Sequence, residues 1–247
     1  GMRVTFDRYP YIESMTSLST VLPEPYNELD DVSLQRDLQT GAKLYKRILT
    51  SLNQFDDERW RSVRLVGSQA DFCQALFGLS LLDGAEKLGL TPAEFCLNIL
   101  REDAVNAMAA FKGMSGRNMM SIIADARCCC GSDETARPFT YELGRSHPRG
   151  FGSFPKFFRL LHDTMSTERI IRKMTSLPAI IFQLPKRGII RPGYYADLAL
   201  IDPDEYASLT DFSEPHTPAT GVYKVWVNGQ LSFDNQTVIK QNGRVIF

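Results

Sequence analysis

Histidine is scarce in this sequence, with three residues (His147, His162 and His216) in 247 positions. None has a second histidine at the spacing of a metal-binding pair, so a histidine-built metal centre is not encoded in these residues. No run of apolar residues approaches the roughly 20 needed to span a bilayer, and the first residues lack the apolar core of a secretory leader. A charge excess of either sign is missing as well. Lys plus Arg number 28 against 29 Asp plus Glu, for a formal net charge of −1. No basic footprint for nucleic acid or an anionic membrane results, so neither is expected as a partner. The five cysteines (Cys73, Cys96 and the run Cys128–Cys130) are odd in number and three are consecutive. They do not make a disulfide framework, which favours a reducing cytoplasm. In a strand only Cys128 and Cys130 share a face, and the run reads as a buried strand of small apolar residues. No internal repeat or low-complexity segment is present.

What remains is an ordinary globular composition, 43% hydrophobic and 23% charged, suited to one large domain or two small ones. Gly1-Met2 reads as a tag scar before a start Met. Residues 3–11 read as a short strand running into a Pro-broken loop, and 12–32, rich in Ser, Thr and Pro, as loop. Leu34, Leu38, Leu44, Ile48 and Leu52 predict a helix over 33–53. A strand is expected near Arg61–Val66. Ser68 is a candidate cap for a helix carrying Phe72, Leu76 and Leu79. Thr91-Pro92-Ala93-Glu94 combines a Thr cap, Pro in the first turn and Glu three residues on, and predicts a helix to about Arg101. Further helices are expected over 103–112, 117–125, 154–164 and 167–176, with a strand at Arg127–Cys130. Beyond Pro185 the pattern turns to short β-rich runs at 196–201, 222–227, 236–240 and 244–247. Asn228-Gly229 and Asn242-Gly243 between them are hairpin signals.

Four stretches, in order, carry a family resemblance. Asp7-Arg8-Tyr9-Pro10-Tyr11 with Ser14–Leu18 comes first and Gly131-Ser132-Asp133 second. The third is His147-Pro148-Arg149-Gly150-Phe151-Gly152-Ser153-Phe154-Pro155. The fourth joins Lys173–Ala179 to Arg187–Leu198. Together they resemble the C-terminal half of an N-acyl-D-amino-acid deacylase (D-aminoacylase) of the metal-dependent amidohydrolase superfamily. The resemblance implies an α/β fold, the C-terminal part of a TIM-like (β/α)8 barrel, followed by an antiparallel β tail. Residues 1–20 and 115–186 would form the partial barrel with its strands seven and eight. Residues 21–114 would be a mainly helical insertion, and 187–247 the tail of a small β domain made from both chain ends.

The same resemblance implies a zinc-dependent hydrolase that opens the amide of N-acyl-D-amino acids. Asp133 would carry the proton from water to the leaving amine and is the one candidate metal ligand in this chain. The plainer reading of Ser132-Asp133 is a turn cap. Arg149 would hold the substrate carboxylate, unless it is a structural Arg paired with a carbonyl or an Asp. Tyr9 would offer its hydroxyl to substrate or simply pack, and His147 would hydrogen-bond within its loop. Two departures stand out. Met15 stands where Ser is usual, and the stretch from Asp133 to His147, with Thr135–Arg145 inside it, is longer than the family pattern. The family's H-x-H, bridging ligand and later histidines have no counterpart here. The chain alone is therefore expected to be inactive, with zinc expected in the complete family enzyme. It would need a second copy or a separately encoded N-terminal half to cover its edges. A non-catalytic oligomeric relative and a cyclic amidohydrolase, acting on a hydantoin or dihydropyrimidine ring, are the alternatives.

Overall fold

The computed structural model describes residue 2 and residues 4–246. Gly1, Arg3 and Phe247 lie outside, and with them the tag-scar reading and the outermost residues of the 3–11 and 244–247 expectations. Strand β1 (Phe6–Arg8) pairs in parallel with the strand of the cysteine run, Cys128–Cys130, in the register Phe6↔Cys128, Asp7↔Cys129, Arg8↔Cys130. Parallel neighbours need a crossover. Here the crossover is everything between them and contains a compact unit of its own.

That unit is built on strand β2 (Glu13–Ser17), β3 (Val63–Gly67) and β4 (Met108–Lys112), an antiparallel sheet in the order β2-β4-β3. Helices α1 (Asp31–Thr40), α2 (Ala42–Leu52), α3 (Asp57–Arg61), α4 (Leu81–Leu88) and α5 (Pro92–Asp103) pack on it. Leu34, Ile48, Leu52, Phe95, Leu97 and Ile99 are among its fully buried side chains. The α5 start is as the sequence predicts: Thr91 Oγ1 accepts from the Glu94 N–H at 3.2 Å, and Glu94 Oε2 accepts from the Thr91 N–H at 2.9 Å.

Four expectations in this region are corrected. The 33–53 helix is two helices broken at Gly41, whose backbone (φ −114°, ψ 84°) is not helical. The six-residue step from Leu38 to Leu44 fits no helical interval and marks that break. The 12–32 loop contains β2. Residues 103–112 end a helix and begin a strand, because the Asp103 carboxylate accepts from the Asn106 N–H (3.2 Å) and side-chain amide (2.7 Å). The small buried Ala109 and Ala110 then form the centre of the sheet. Ser68 caps no helix: its hydroxyl donates to Asp103 at 2.8 Å, and Asp71–Leu76 is a 3-10 turn. Residues 21–114 thus combine five helices with two strands of this sheet.

Helix α6 (Gly116–Ala124), capped by Ser115, leads into β5 (Cys128–Cys130). Helices α7 (Arg149–His162), α8 (Thr167–Met174) and α9 (Ser176–Ile181) follow. Met119, Ile123, Cys130, Phe157, Phe158, Leu161 and Ile170 form their common core. All three cysteines of β5 are buried and unpaired, as the sequence implies.

The tail is an antiparallel meander of β6 (Leu198–Ile201), β7 (Val222–Val227), β8 (Gln230–Asp234) and β9 (Thr237–Val238). Asn228 (φ 52°) and Gly229 (φ 76°) turn β7 into β8, both with the positive φ of a type I′ turn. The second turn is Asn235-Gln236 (φ 41° and 69°), not Asn242-Gly243. The Asn242 amide instead donates to the Ser232 hydroxyl at 3.0 Å, and residues 244–246 are not strand. The fold is mixed α/β with antiparallel sheets beside one parallel pair. No helix among the described residues is long and apolar enough to cross a membrane.

Candidate functional site

Parallel strands send their carboxyl ends to one side, which is where α/β sheets collect ligands. Tyr9 follows β1 and Gly131-Ser132-Asp133 follows β5, so the two motifs met separately in the sequence emerge side by side. Gly131 sits close against the Asp7 side chain, and a Cβ there would lie 2.1 Å from Asp7 Oδ2 and push that carboxylate aside. Asp133 adopts φ 48°, a left-handed conformation that Asp tolerates better than most residues. Its carboxylate forms an ion pair with Arg149, Oδ2 lying 3.0 Å from Nη2.

That pair is lopsided: the Arg149 side chain is 9% exposed, the Asp133 side chain 65%. With one partner in water, the ion pair itself stabilises the fold by no more than about 1 kcal/mol. The Arg149 guanidinium stands 4.7 Å from the centre of the Tyr9 ring, and that of Arg8 4.1 Å from it. Arg149 Nε is buried with no protein partner. The structure therefore brings Tyr9, Asp133 and Arg149 together and shows the Arg–Asp pairing weighed from the sequence.

His147 is fully buried. Its Nδ1 accepts from the Arg149 N–H at 2.9 Å, which puts the proton of the neutral ring on Nε2. The ring packs edge-on against Tyr11 (5.1 Å) and Phe212 (4.9 Å). Burial above all, with the Arg149 charge beside it, pushes its pKa down to about 3. It is a neutral residue that shapes its turn. The Pro148 carbonyl accepts from the Tyr11 (3.4 Å) and Thr210 (3.3 Å) hydroxyls, fixing the same turn. Sequence reasoning missed Tyr11, Thr210 and Phe212 in this role. Tyr11 alone carried a signal, in the Tyr-Pro-Tyr motif.

The residues do not fit a metal centre by themselves. Among those described, no three His, Cys, Asp or Glu side chains could hold one ion. Asp133 is engaged by Arg149. Burial pushes the Cys128 thiol up to about 11 and the Cys130 thiol higher, against the thiolate a metal needs. A cleft of about 860 Å³ lies nearby, between loop residues 137–145 and the β2-β4-β3 sheet; Arg137, Tyr141, Arg145, Met15 and Gln74 help line it.

The chain belongs to the amidohydrolase family, whose sequence profile matches residues 97–233. Within that family its similarity is to the D-aminoacylases. It is 38% identical over 104 residues to an N-acyl-D-aspartate deacylase of Alcaligenes xylosoxydans xylosoxydans, covering 40% of this chain and 21% of that protein. A crystal structure of D-aminoacylase, described as defining a novel subset of amidohydrolases, superposes at a TM-score of 0.64 with 25% identity. It covers 96% of this chain and 41% of the other. An N-acyl-D-glutamate deacylase from Bordetella bronchiseptica, solved with zinc and a phosphonate inhibitor, superposes at 0.63 with 26% identity, over 94% and 40%. The chain thus spans about a fifth of that curated relative and about two fifths of those solved chains.

Proposed function

We propose that this chain supplies the substrate-carboxylate side of an N-acyl-D-amino-acid deacylase, which hydrolyses the amide to a carboxylate and a D-amino acid. In this reading β1 and β5 are the last two strands of a (β/α)8 barrel. The β6–β9 meander belongs to a small β domain. A zinc ion would activate the water in the assembled enzyme, held mainly by ligands from outside the residues described here. These would come from another segment, another copy or a separately encoded half.

The chain's own residues do the following. Arg149, released from Asp133, turns its guanidinium to the carboxylate of the amino-acid moiety with two parallel hydrogen bonds. The Tyr9 ring beneath keeps that guanidinium in place. Asp133, freed and exposed, accepts a proton from water and returns it to the departing amine. The observation that carries the reading is the Arg149–Asp133 pair at the carboxyl ends of the parallel strands.

The test is a titration of the isotope-labelled chain with N-acetyl-D-aspartate, followed at the Arg149 Nε–H resonance. A saturable shift is expected in the wild type, and Arg149→Lys, which has no such N–H, should show weakened binding when followed by calorimetry instead. No shift in the wild-type chain would sink the carboxylate role. A second reading, a non-catalytic relative, draws on the absence of a metal-holding cluster among the described residues. It predicts no turnover even when an H-x-H-bearing half is added.

A further inference from the structure

The stretch between Asp133 and His147, singled out in the sequence for its length, has neither helix nor strand. It is nevertheless tied down, and the tie comes from the tail. The segment 208–216, which follows β6, grips the site at several points. Thr210 bonds the Pro148 carbonyl, Phe212 packs on His147, and Arg145 donates to the Phe212 and Ser213 carbonyls. Tyr141 Oη donates to Glu214 at 2.9 Å.

At the end of this strap sits His216, which is buried. Its Nδ1 faces the Thr140 carbonyl at 3.1 Å and its Nε2 faces the Ser146 hydroxyl at 3.0 Å. A carbonyl only accepts, so Nδ1 carries the proton and Nε2 accepts from Ser146. The ring also packs against Tyr141 (4.6 Å, 30°) and Phe151 (5.1 Å, 35°). One side chain therefore joins the tail, both ends of the 140–146 loop and the first turn of α7.

We propose that His216 is a positioning residue: a neutral latch that holds loop 135–146 as a wall of the neighbouring cleft and sets the His147-Pro148-Arg149 turn. Ser146 directly precedes that turn, and Arg137, Tyr141 and Arg145 of the loop line the cleft. The charged and titratable groups facing the ring are Arg137, Tyr141 and Arg145 from the loop and Glu214 from the strap. Burial first, and then the two guanidinium charges, hold its pKa below the usual 6.5. If His216 is protonated, Ser146 can turn its hydrogen to the His147 carbonyl, 3.3 Å away. The buried charge beside the arginines is then what opens the latch, and it does so as pH falls.

The inference rests on the carboxylate-site reading only for its functional consequence. Its test uses no substrate and no metal, so the two can fail separately. Hydrogen exchange of the 139–147 amides, corrected for intrinsic rates, is measured on the full chain. Protection in the wild type should fall about tenfold between about pH 7.5 and about pH 5.5. His216→Asn, which retains an amide donor toward Thr140 but does not titrate, should keep its protection across that range. His216→Ala should lack protection at both values. If His216→Ala does not fold, Ser146→Ala should raise exchange in 139–147 without raising it in α5. Imidazole ¹⁵N shifts should report the Nδ1–H tautomer. An Nε2–H tautomer, wild-type protection in His216→Ala or Ser146→Ala, or a wild-type pH slope in His216→Asn would overturn the latch.

Discussion

Arg149 carries its charge where the backbone opposes it. As the first residue of α7 it sits at the positive end of a helix dipole, where an anion is the favoured neighbour. It is also buried, with Nε unpartnered and its one ion pair reaching to an exposed Asp133. A purely structural arginine would use its donors better. That is the physical reason to assign it an anionic ligand. Arg149→Lys keeps the charge and gives up the planar fork, so affinity for N-acetyl-D-aspartate should fall about tenfold to a hundredfold by calorimetric titration. Gly152 tests the scaffold beneath. A Cβ there would lie 2.2 Å from Tyr11 Oη and 2.4 Å from Thr210 Oγ1. Gly152→Ala should therefore cost about 1–3 kcal/mol in urea unfolding, by overpacking. An unchanged midpoint would show that the Tyr11–Thr210–Pro148 contact is not the constraint we describe.

At the scale of elements, residues 21–114 gain their definition from ends as much as from faces. The α5 capping box ties two backbone donors that otherwise have no intrahelical partner. Thr91→Ala should lower stability by about 1 kcal/mol, measured by chemical denaturation. Because Thr91 lies far in sequence from the site motifs, the Arg149 resonances should not move. Much of this element structure was legible beforehand. The α5 cap, α6, the cysteine strand and the Asn228-Gly229 turn carry local signals. The two missed strands have one cause. β2 pairs with β4 and β4 with β3, and no local pattern announces that. In Ala107–Ala110, burial at the centre of a sheet prevails over the helical preference of alanine.

For the whole molecule, the two buried histidines give a pH dependence whose sign follows from linkage. His147 is held down to about 3 and His216 below 6.5 in the fold, whereas the unfolded chain titrates near 6.5. The unfolded state therefore binds more protons at mildly acid pH. Stability should fall as pH drops below about 6.5 and go on falling toward about 3. A urea midpoint that is the same at pH 7 and pH 5 would contradict the buried, neutral state of both rings. Assembly is testable at the same scale. The parallel pair β1-β5 has no further strand on either side among the described residues, and such edges are normally covered. Native mass spectrometry should find a dimer or larger species, or a complex with a complementing half. It should find no stoichiometric zinc on the isolated chain. A monodisperse monomer would remove the homo-oligomer, and one bound zinc per chain would overturn the incompleteness of the site.

The sequence by itself determined the family, through the Tyr-Pro-Tyr, Gly-Ser-Asp and His-Pro-Arg motifs. It also determined some local starts and turns, the α5 cap and the Asn228-Gly229 turn among them, because caps and I′ turns act over a few residues. It named Tyr9, Asp133, His147 and Arg149 as well. Only the tertiary structure decided that Arg149 is buried while its partner Asp133 is not, and that His147 is a neutral prop. It also decided that the tail, through Thr210, Phe212 and His216, grips the site from some 60 to 80 residues away. Those facts rest on pairings across long loops. Their closure is set by packing, and no window of sequence contains it.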